Sequence, residues 1–199
     1  LLITDVAASP PRETKDVDVI VEIASLHDYH LLSEQLRDRG FREDMREGAP
    51  ICRWIYRSVT VDVMPTESSI LGFTNRWYKE AMRSAVEMKL PLGHDIRMVS
   101  APLFLATKLE AFYGRGNGDY MMSHDLEDLI AVLDGRAQIV AEVASSGDVR
   151  DYLAEQFSKL LSLDAFLDAV PAHLPSDAAS QQRKGVVLRR LQLIRDMSR

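Results

Sequence analysis

The chain is poor in several things, and each shortage removes a class of answer. Cys52 is the only cysteine among 199 residues, so no internal disulfide can form, and the composition suits a reducing compartment such as the cytosol. No apolar run approaches the roughly 18 residues needed to cross a bilayer, and Leu1-Leu2-Ile3 is too short for a signal peptide. The sequence does not begin with Met, which leads us to expect residues upstream. There is no global excess of basic residues: the formal charge is −6 and the isoelectric point about 5.4, so any contact with nucleic acid must be local. The five histidines show no metal-ligand spacing, and no Ser-His-Asp signature accompanies them. Repeats and low-complexity tracts are missing. What remains is 46% hydrophobic residues, enough to bury a core in one domain or in a domain with a helical extension.

The most informative stretch is Thr14-Lys15-Asp16-Val17-Asp18-Val19-Ile20-Val21-Glu22-Ile23. A period of two places Val17, Val19, Val21 and Ile23 on one face of a strand, the core face, and Asp16 and Asp18 on the other. Aspartate is depleted in strands, and a divalent cation is the simplest reason for two on one side. Val59-Thr60-Val61-Asp62-Val63-Met64 repeats the arrangement with Asp62 opposed to its valines. Carboxylates on adjacent strands can hold Mg²⁺ for phosphoryl or nucleotidyl transfer, in which two ions about 3.5–4 Å apart stabilise the attacking and leaving oxygens. Asp16, Asp18 and Asp62 are therefore the candidate metal ligands, with Asp62 also placed to orient or deprotonate an attacking hydroxyl. The alternative is three solvated carboxylates on the open face of a half-buried sheet.

Along the chain, Leu1 to Ile3 read as the tail of an apolar element, and Asp5 to Glu13 as a loop through Pro10 and Pro11. Ser25 is a helix N-cap for Leu26 to Arg39, with Leu31, Leu32 and Leu36 as the apolar face and Gly40 as terminator. Phe41 to Pro50 is a charged connection. Ile51 to Arg57 and Val59 to Met64 form a hairpin turning at Ser58. Thr66 to Met82 reads as irregular chain followed by one helical turn. Ala85 to Leu90 and Ile96 to Val99 are strands about a Pro91-Leu92-Gly93-His94 turn. Helices follow: Pro102 to Tyr113 capped by Ser100, Ser123 to Leu133 ended by Gly135, then Ala137 to Ala144, Val149 to Leu161, Asp164 to Ala169, and a last one capped at Pro175-Ser176-Asp177. The plan is α+β, with a small mixed sheet over residues 1–100 and a helical region over 101–199. Arg183, Lys184, Arg189, Arg190, Arg195 and Arg199 gather positive charge near the C-terminus, either as an RNA footprint or as a solvated or partner-binding face.

These residues resemble a known superfamily. Arg12-x-Thr14-Lys15-Asp16-Val17-Asp18 followed by Val61-Asp62-Val63 looks like the polymerase-beta type nucleotidyltransferases. Ser100-Ala101-Pro102-Leu103-Phe104-Leu105-Ala106-Thr107-Lys108-Leu109-Glu110-Ala111-Phe112, with Arg115-Gly116 and Ser123-His124-Asp125-Leu126-Glu127-Asp128, resembles the AbiEii/MenT-like branch known from toxin–antitoxin systems. The similarity spans about residues 10 to 135. It implies a nucleotidyltransferase-like α+β fold, Mg²⁺ dependence, a nucleoside triphosphate (NTP) donor and a hydroxyl acceptor, which in toxins of that branch can be the 3′ end of tRNA, with a cognate antitoxin as a further partner. It implies Lys108 as a contact to the triphosphate and Asp125 as a functional acidic position; by the residues alone Lys108 also reads as a surface lysine and Asp125 as an N-terminal helix acid, and Arg12 and Thr14, flanking the metal strand, either touch phosphate or fix the loop. Asp128 reads first as an N-terminal helix acid favoured by the macrodipole, and otherwise as a partner for Lys108 or Arg115. The Gly-Ser or Gly-Gly pair that the superfamily sets before its aspartate strand does not occur between Leu1 and Lys15. If the sequence is a piece of a longer chain, the pair is expected just upstream, with Leu1 to Ile3 ending its helix; if it is complete, the triphosphate lacks that cradle and the non-catalytic reading gains. Two other readings stand beside the enzyme acting on tRNA: a degenerate fold that binds nucleotide, RNA or a partner protein without chemistry, and a small-molecule (antibiotic) nucleotidyltransferase.

Overall fold

The computed structural model describes residues 2–10, 12, 14 and 16–198; Leu1, Pro11, Glu13, Lys15 and Arg199, which entered the readings above, lie outside the described residues. Contacts divide the chain into two units, Glu13–Ser84 and Leu1–Arg12 with Ala85–Arg199. The division falls at Ser84, short of the expected boundary near residue 100, so the second pair of strands belongs with the helices.

The first unit is a mixed sheet with short helices. Strand β1 (Asp16–Val21) leads into α1 (Leu26–Asp38). Ser25 caps this helix as expected, in extended conformation and with its hydroxyl accepting from the Asp28 N–H at 3.1 Å. β2 (Arg42–Glu43), inside the stretch expected to be only a connection, pairs antiparallel with β3 (Arg53–Tyr56), which forms the expected hairpin with β4 (Val59–Pro65). Tyr56 pairs with Val59, so the turn is Arg57-Ser58, with Arg57 at a φ of 55°. β4 also pairs in parallel with β1, giving the order β1-β4-β3-β2. Two short helices, α2 (Ser68–Leu71) and α3 (Tyr78–Arg83), occupy the stretch expected to be mostly irregular. A four-residue helix stopped by left-handed Gly72 is too short to show a helical period.

Ile23, Tyr29 and Ile70 form a core patch with Val21, Leu32 and Leu71 packed on it. Two expectations for apolar residues are corrected. Val17 and Val19, expected to be buried, are 50% and 39% exposed, because the unit's core patch gathers at the C-terminal end of β1, around Val21 and Ile23, and does not extend over them. Leu31 is 44% exposed, since α1 turns Tyr29 and Ser33 inward with Leu32 and Leu36 half-buried beside them.

The second unit opens with a two-stranded ribbon, β5 (Val86–Lys89) and β6 (Asp95–Met98), closed as expected at Gly93, whose φ is 85°. α4 (Ala101–Arg115) carries Pro102 near its start and runs two residues past its expected end. α5 (His124–Gly135) is capped by Ser123. α6 (Ile139–Ala144), α7 (Asp148–Leu161) and α8 (Asp164–Ala169) fall close to expectation, and a 3-10 turn follows over Val170–His173. The expected last helix is divided at Arg183 into α9 (Ala178–Gln182), whose Asp177 cap accepts from the Ser180 N–H, and α10 (Lys184–Arg195). The apolar rows Leu105, Leu109 and Phe112 of α4, Leu126, Leu129 and Leu133 of α5, Leu153 and Phe157 of α7 and Val187, Leu191 and Ile194 of α10 are at most 2% exposed and close the core.

Residues 2–10 return to this bundle without forming a helix. The N–H groups of Thr4 and Asp5 both donate to the Gly135 carbonyl at 2.8 Å, and Arg136 donates to the Leu2 carbonyl at 3.0 Å. Arg183 donates to Asp134 and Asp5, and Arg190 donates at 2.6 Å to the carbonyls of Leu133 and Asp134. Two of the arginines read as a basic footprint therefore cap the C-terminus of α5, where cations offset unpaired carbonyls and the helix dipole. Desolvation lowers the Arg190 guanidinium below its usual value, with Asp134 opposing that shift. Arg195 pairs with its neighbour Asp196.

Candidate functional site

The sheet unit brings the candidate aspartates together. Parallel pairing of β1 with β4 sets Asp18 opposite Asp62 and Asp16 opposite Thr60. Residues opposite one another on adjacent strands share a face, and Asp16 and Asp18 are two apart on one strand, so all three carboxylates rise from one side of the sheet. Asp16 and Asp18 are exposed, while Asp62 is 8% exposed.

The antiparallel register carries the row one strand further. Arg53 lies opposite Asp62 and grips it with a two-pronged hydrogen bond, Nε to Oδ1 at 2.8 Å and Nη2 to Oδ2 at 2.7 Å. This is the strong form of an arginine–carboxylate pair. Its consequence for Arg53 is a guanidinium pushed further up, first by the Asp62 hydrogen bond and in smaller part by the charges of Asp62 and Asp16. Arg53 was absent from the candidates drawn from sequence. Counting back from a two-residue turn at Arg57-Ser58 would have set it opposite Asp62.

Beneath the row, Cys52 is 3% exposed, and burial together with the charges of Asp62 and Asp18 pushes its thiol up to about 11. That fits a small core residue and opposes a nucleophile. Trp54, 2% exposed, lies beneath the Arg37 guanidinium at 5.9 Å, and Trp77 is 7% exposed, so both tryptophans serve the core instead of an open stacking platform. Thr14 donates to the Asp16 carbonyl at 3.4 Å, a bond that shapes the entry to β1.

The other candidate residues form a network in the helical unit. Lys108, on the face of α4 beside its apolar row, donates to Asp128 at 2.6 Å and lies 3.5 Å from Asp125. Arg115 makes a fork on Asp125 at 3.0 and 2.8 Å. Arg12 pairs with Glu127 at 3.2 Å and Asp128 at 3.5 Å. Three cations thus balance three carboxylates, with Asp125 only 6% exposed. The pairing of Asp128 with Lys108 matches the second of the two readings of Asp128, and the fork from Arg115 explains how Asp125 is buried without leaving a lone charge.

Mg²⁺ takes hard oxygen ligands, commonly one or two carboxylates together with substrate phosphates in place of an all-protein cage. Asp16 and Asp18 match that donor set. Among the described residues no group of three His, Cys, Asp or Glu side chains is drawn close enough to hold an ion, and both oxygens of Asp62 are taken by Arg53. A cation carried by Asp16 and Asp18 is compatible with this arrangement, whereas Asp62 can ligate directly only after Arg53 lets go. No helix among the described residues is long and apolar enough to cross a membrane. Comparison with known proteins finds no family model that matches the chain and no curated protein significantly similar to it.

Proposed function

We propose that the chain is a Mg²⁺-dependent nucleotidyltransferase of the polymerase-beta type, related to the AbiEii/MenT-like toxins, moving a nucleoside monophosphate from an NTP to a hydroxyl acceptor. The observation that carries this reading is the parallel register that sets Asp18 beside Asp62, with Asp16 on the same face. Asp16 and Asp18 would hold the cation, which supplies charge neutralisation at the phosphoryl oxygens. The acceptor hydroxyl oxygen attacks the α-phosphorus, the bond from that phosphorus to the bridging oxygen breaks, and pyrophosphate leaves with the bonding pair. The hydroxyl proton passes to Asp62 once Arg53 has turned away from it. Arg53 pairs with that carboxylate until then, and a fork that fits a carboxylate also fits a phosphate. By the resemblance, Lys108 is a nucleotide contact and Asp125 a functional acidic position, while Arg12 and Thr14, which flank the metal strand, are the weaker candidates for phosphate. In toxins of that branch the acceptor can be tRNA and a cognate antitoxin the protein partner, so tRNA is the first acceptor to test and a small molecule the second.

A second reading is favoured by specific contacts: Asp62 is held by Arg53, and Lys108 by Asp128 and Asp125. A protein frozen in that state binds nucleotide, RNA or protein without chemistry. Incubation with each labelled triphosphate, Mg²⁺ and total tRNA, and in parallel with aminoglycoside acceptors, separates the readings. Label should move to one acceptor class and the double substitution Asp16→Ala/Asp18→Ala should abolish the transfer. Transfer that survives the double substitution removes the site assignment, and a complete lack of transfer leaves the non-catalytic reading.

A further inference from the structure

The helical unit holds an open cavity of about 370 Å³ lined by Tyr113, Tyr120, Gln156, Lys159, Leu160 and Leu163. That volume falls in the range of about 300–1,000 Å³ typical of small-molecule sites. Its walls are aromatic and aliphatic. The Tyr120 ring is fixed by Phe112 at a centroid distance of 5.2 Å and by Phe166 at 6.4 Å, edge-on, while Tyr113, at the end of α4, is 46% exposed. Its one buried polar side chain is Gln156, 9% exposed, and no hydrogen bond from this amide is found among the described residues. The amide atoms themselves are not sealed from solvent, so they can pair with a ligand that enters, and their carbonyl and NH₂ edge matches a ring bearing a donor beside an acceptor.

Charge narrows the choice of ligand. Lys159 is already paired with Glu155 at 2.7 Å, and the carboxylates of Glu110 and Glu155 lie close enough to Tyr113 to help burial push its hydroxyl up to about 12. An anionic phosphate would meet those carboxylates without a free cation in the cavity. An uncharged ring meets no such penalty.

We infer that this cavity binds an uncharged nucleobase, stacked on the tyrosine rings and read along its edge by the Gln156 amide. The base belongs either to a free nucleoside or to an unpaired residue of an RNA strand. The inference goes beyond the proposed transfer reaction and does not rest on it, because every lining residue lies in the helical unit and the test reads binding.

The test is calorimetric titration of the full chain, without divalent ions, by adenosine, cytidine, guanosine and uridine, with ribose as the control and short single-stranded RNA as a second arm. At least one nucleoside should saturate with a Kd of about 1 mM or tighter while ribose does not. Gln156→Leu should weaken binding about tenfold, and Tyr113→Ala, at a half-exposed position, should weaken it by a similar factor. Lys159→Ala should leave it unchanged. RNA binding tighter than the nucleoside by tenfold or more assigns the base to a strand, and equal or weaker binding assigns it to a free nucleoside. Asp16→Ala/Asp18→Ala should bind as the unaltered chain does, so loss of transfer and loss of this site are read separately. Absence of binding by every nucleoside and RNA, undiminished binding in both Gln156→Leu and Tyr113→Ala, or loss in Lys159→Ala would overturn the inference.

Discussion

Replacing Arg53 by Met removes the charge that faces the carboxylate row while keeping most of the side-chain volume. Asp62 then keeps its burial, with a side chain only 12% exposed, and loses both of its strong hydrogen bonds. Breaking a fully buried ion pair costs about 3–5 kcal/mol, chiefly because the remaining charge is stranded. The Arg53 side chain is 26% exposed, so water shares the compensation and the expected loss is about 2–3 kcal/mol. Trp54 and Trp77, the only tryptophans, both lie in Glu13–Ser84, so their fluorescence during urea unfolding reports on the sheet unit. With Arg53 gone, Asp62 loses its counter-charge beside Asp16 and Asp18, and Mg²⁺ should stabilise the variant more than the unaltered chain. A ligand at one hundred times its Kd contributes about 2.7 kcal/mol. Asp62→Asn in the Arg53→Met background should recover most of the loss and abolish the Mg²⁺ gain. A variant as stable as the parent would refute the burial argument. A destabilised variant that Mg²⁺ does not restore would refute the cation reading of the row.

Two further expectations concern packing. An added Cβ at Gly135 would lie 2.7 and 2.8 Å from the Ile3 methyl groups and 3.3 Å from the Ala8 Cβ, so Gly135→Ala should destabilise by about 1–3 kcal/mol, and Ile3→Ala should relieve most of that in the double variant, measured by thermal unfolding. The buried Cys52 thiol, raised to about 11, should resist a thiol reagent at pH 8 in the folded chain and react fully in urea; rapid labelling of the native protein would show that the strand is open.

What could be read directly lies close in sequence. The Ser25, Ser123 and Asp177 caps each accept from an N–H three residues on, so their partners are set by the chain itself. The Gly93 turn and the hairpin at Arg57-Ser58 are local in the same sense, as is the placement of Asp16 and Asp18 on one side of a strand. Short elements without a period, such as α2 and the two-residue β2, left too little signal.

Distance along the chain explains the rest. Period two divides Val17 and Val19 from the aspartates, but only the tertiary packing decides that the core patch covers Val21 and Ile23 and leaves those two valines exposed. Arg183 and Arg190 read as surface charge until the fold sets the end of α5 against them, 49 and 57 residues away. The sequence by itself determined the caps, the turns and the carboxylate-bearing strands, because those depend on neighbours within a few residues. Only the tertiary structure decided that Asp18 meets Asp62, that Arg53 holds Asp62 and that Lys108 is shared between two aspartates. Those pairings follow from which surfaces can be buried against one another, and no local preference encodes that.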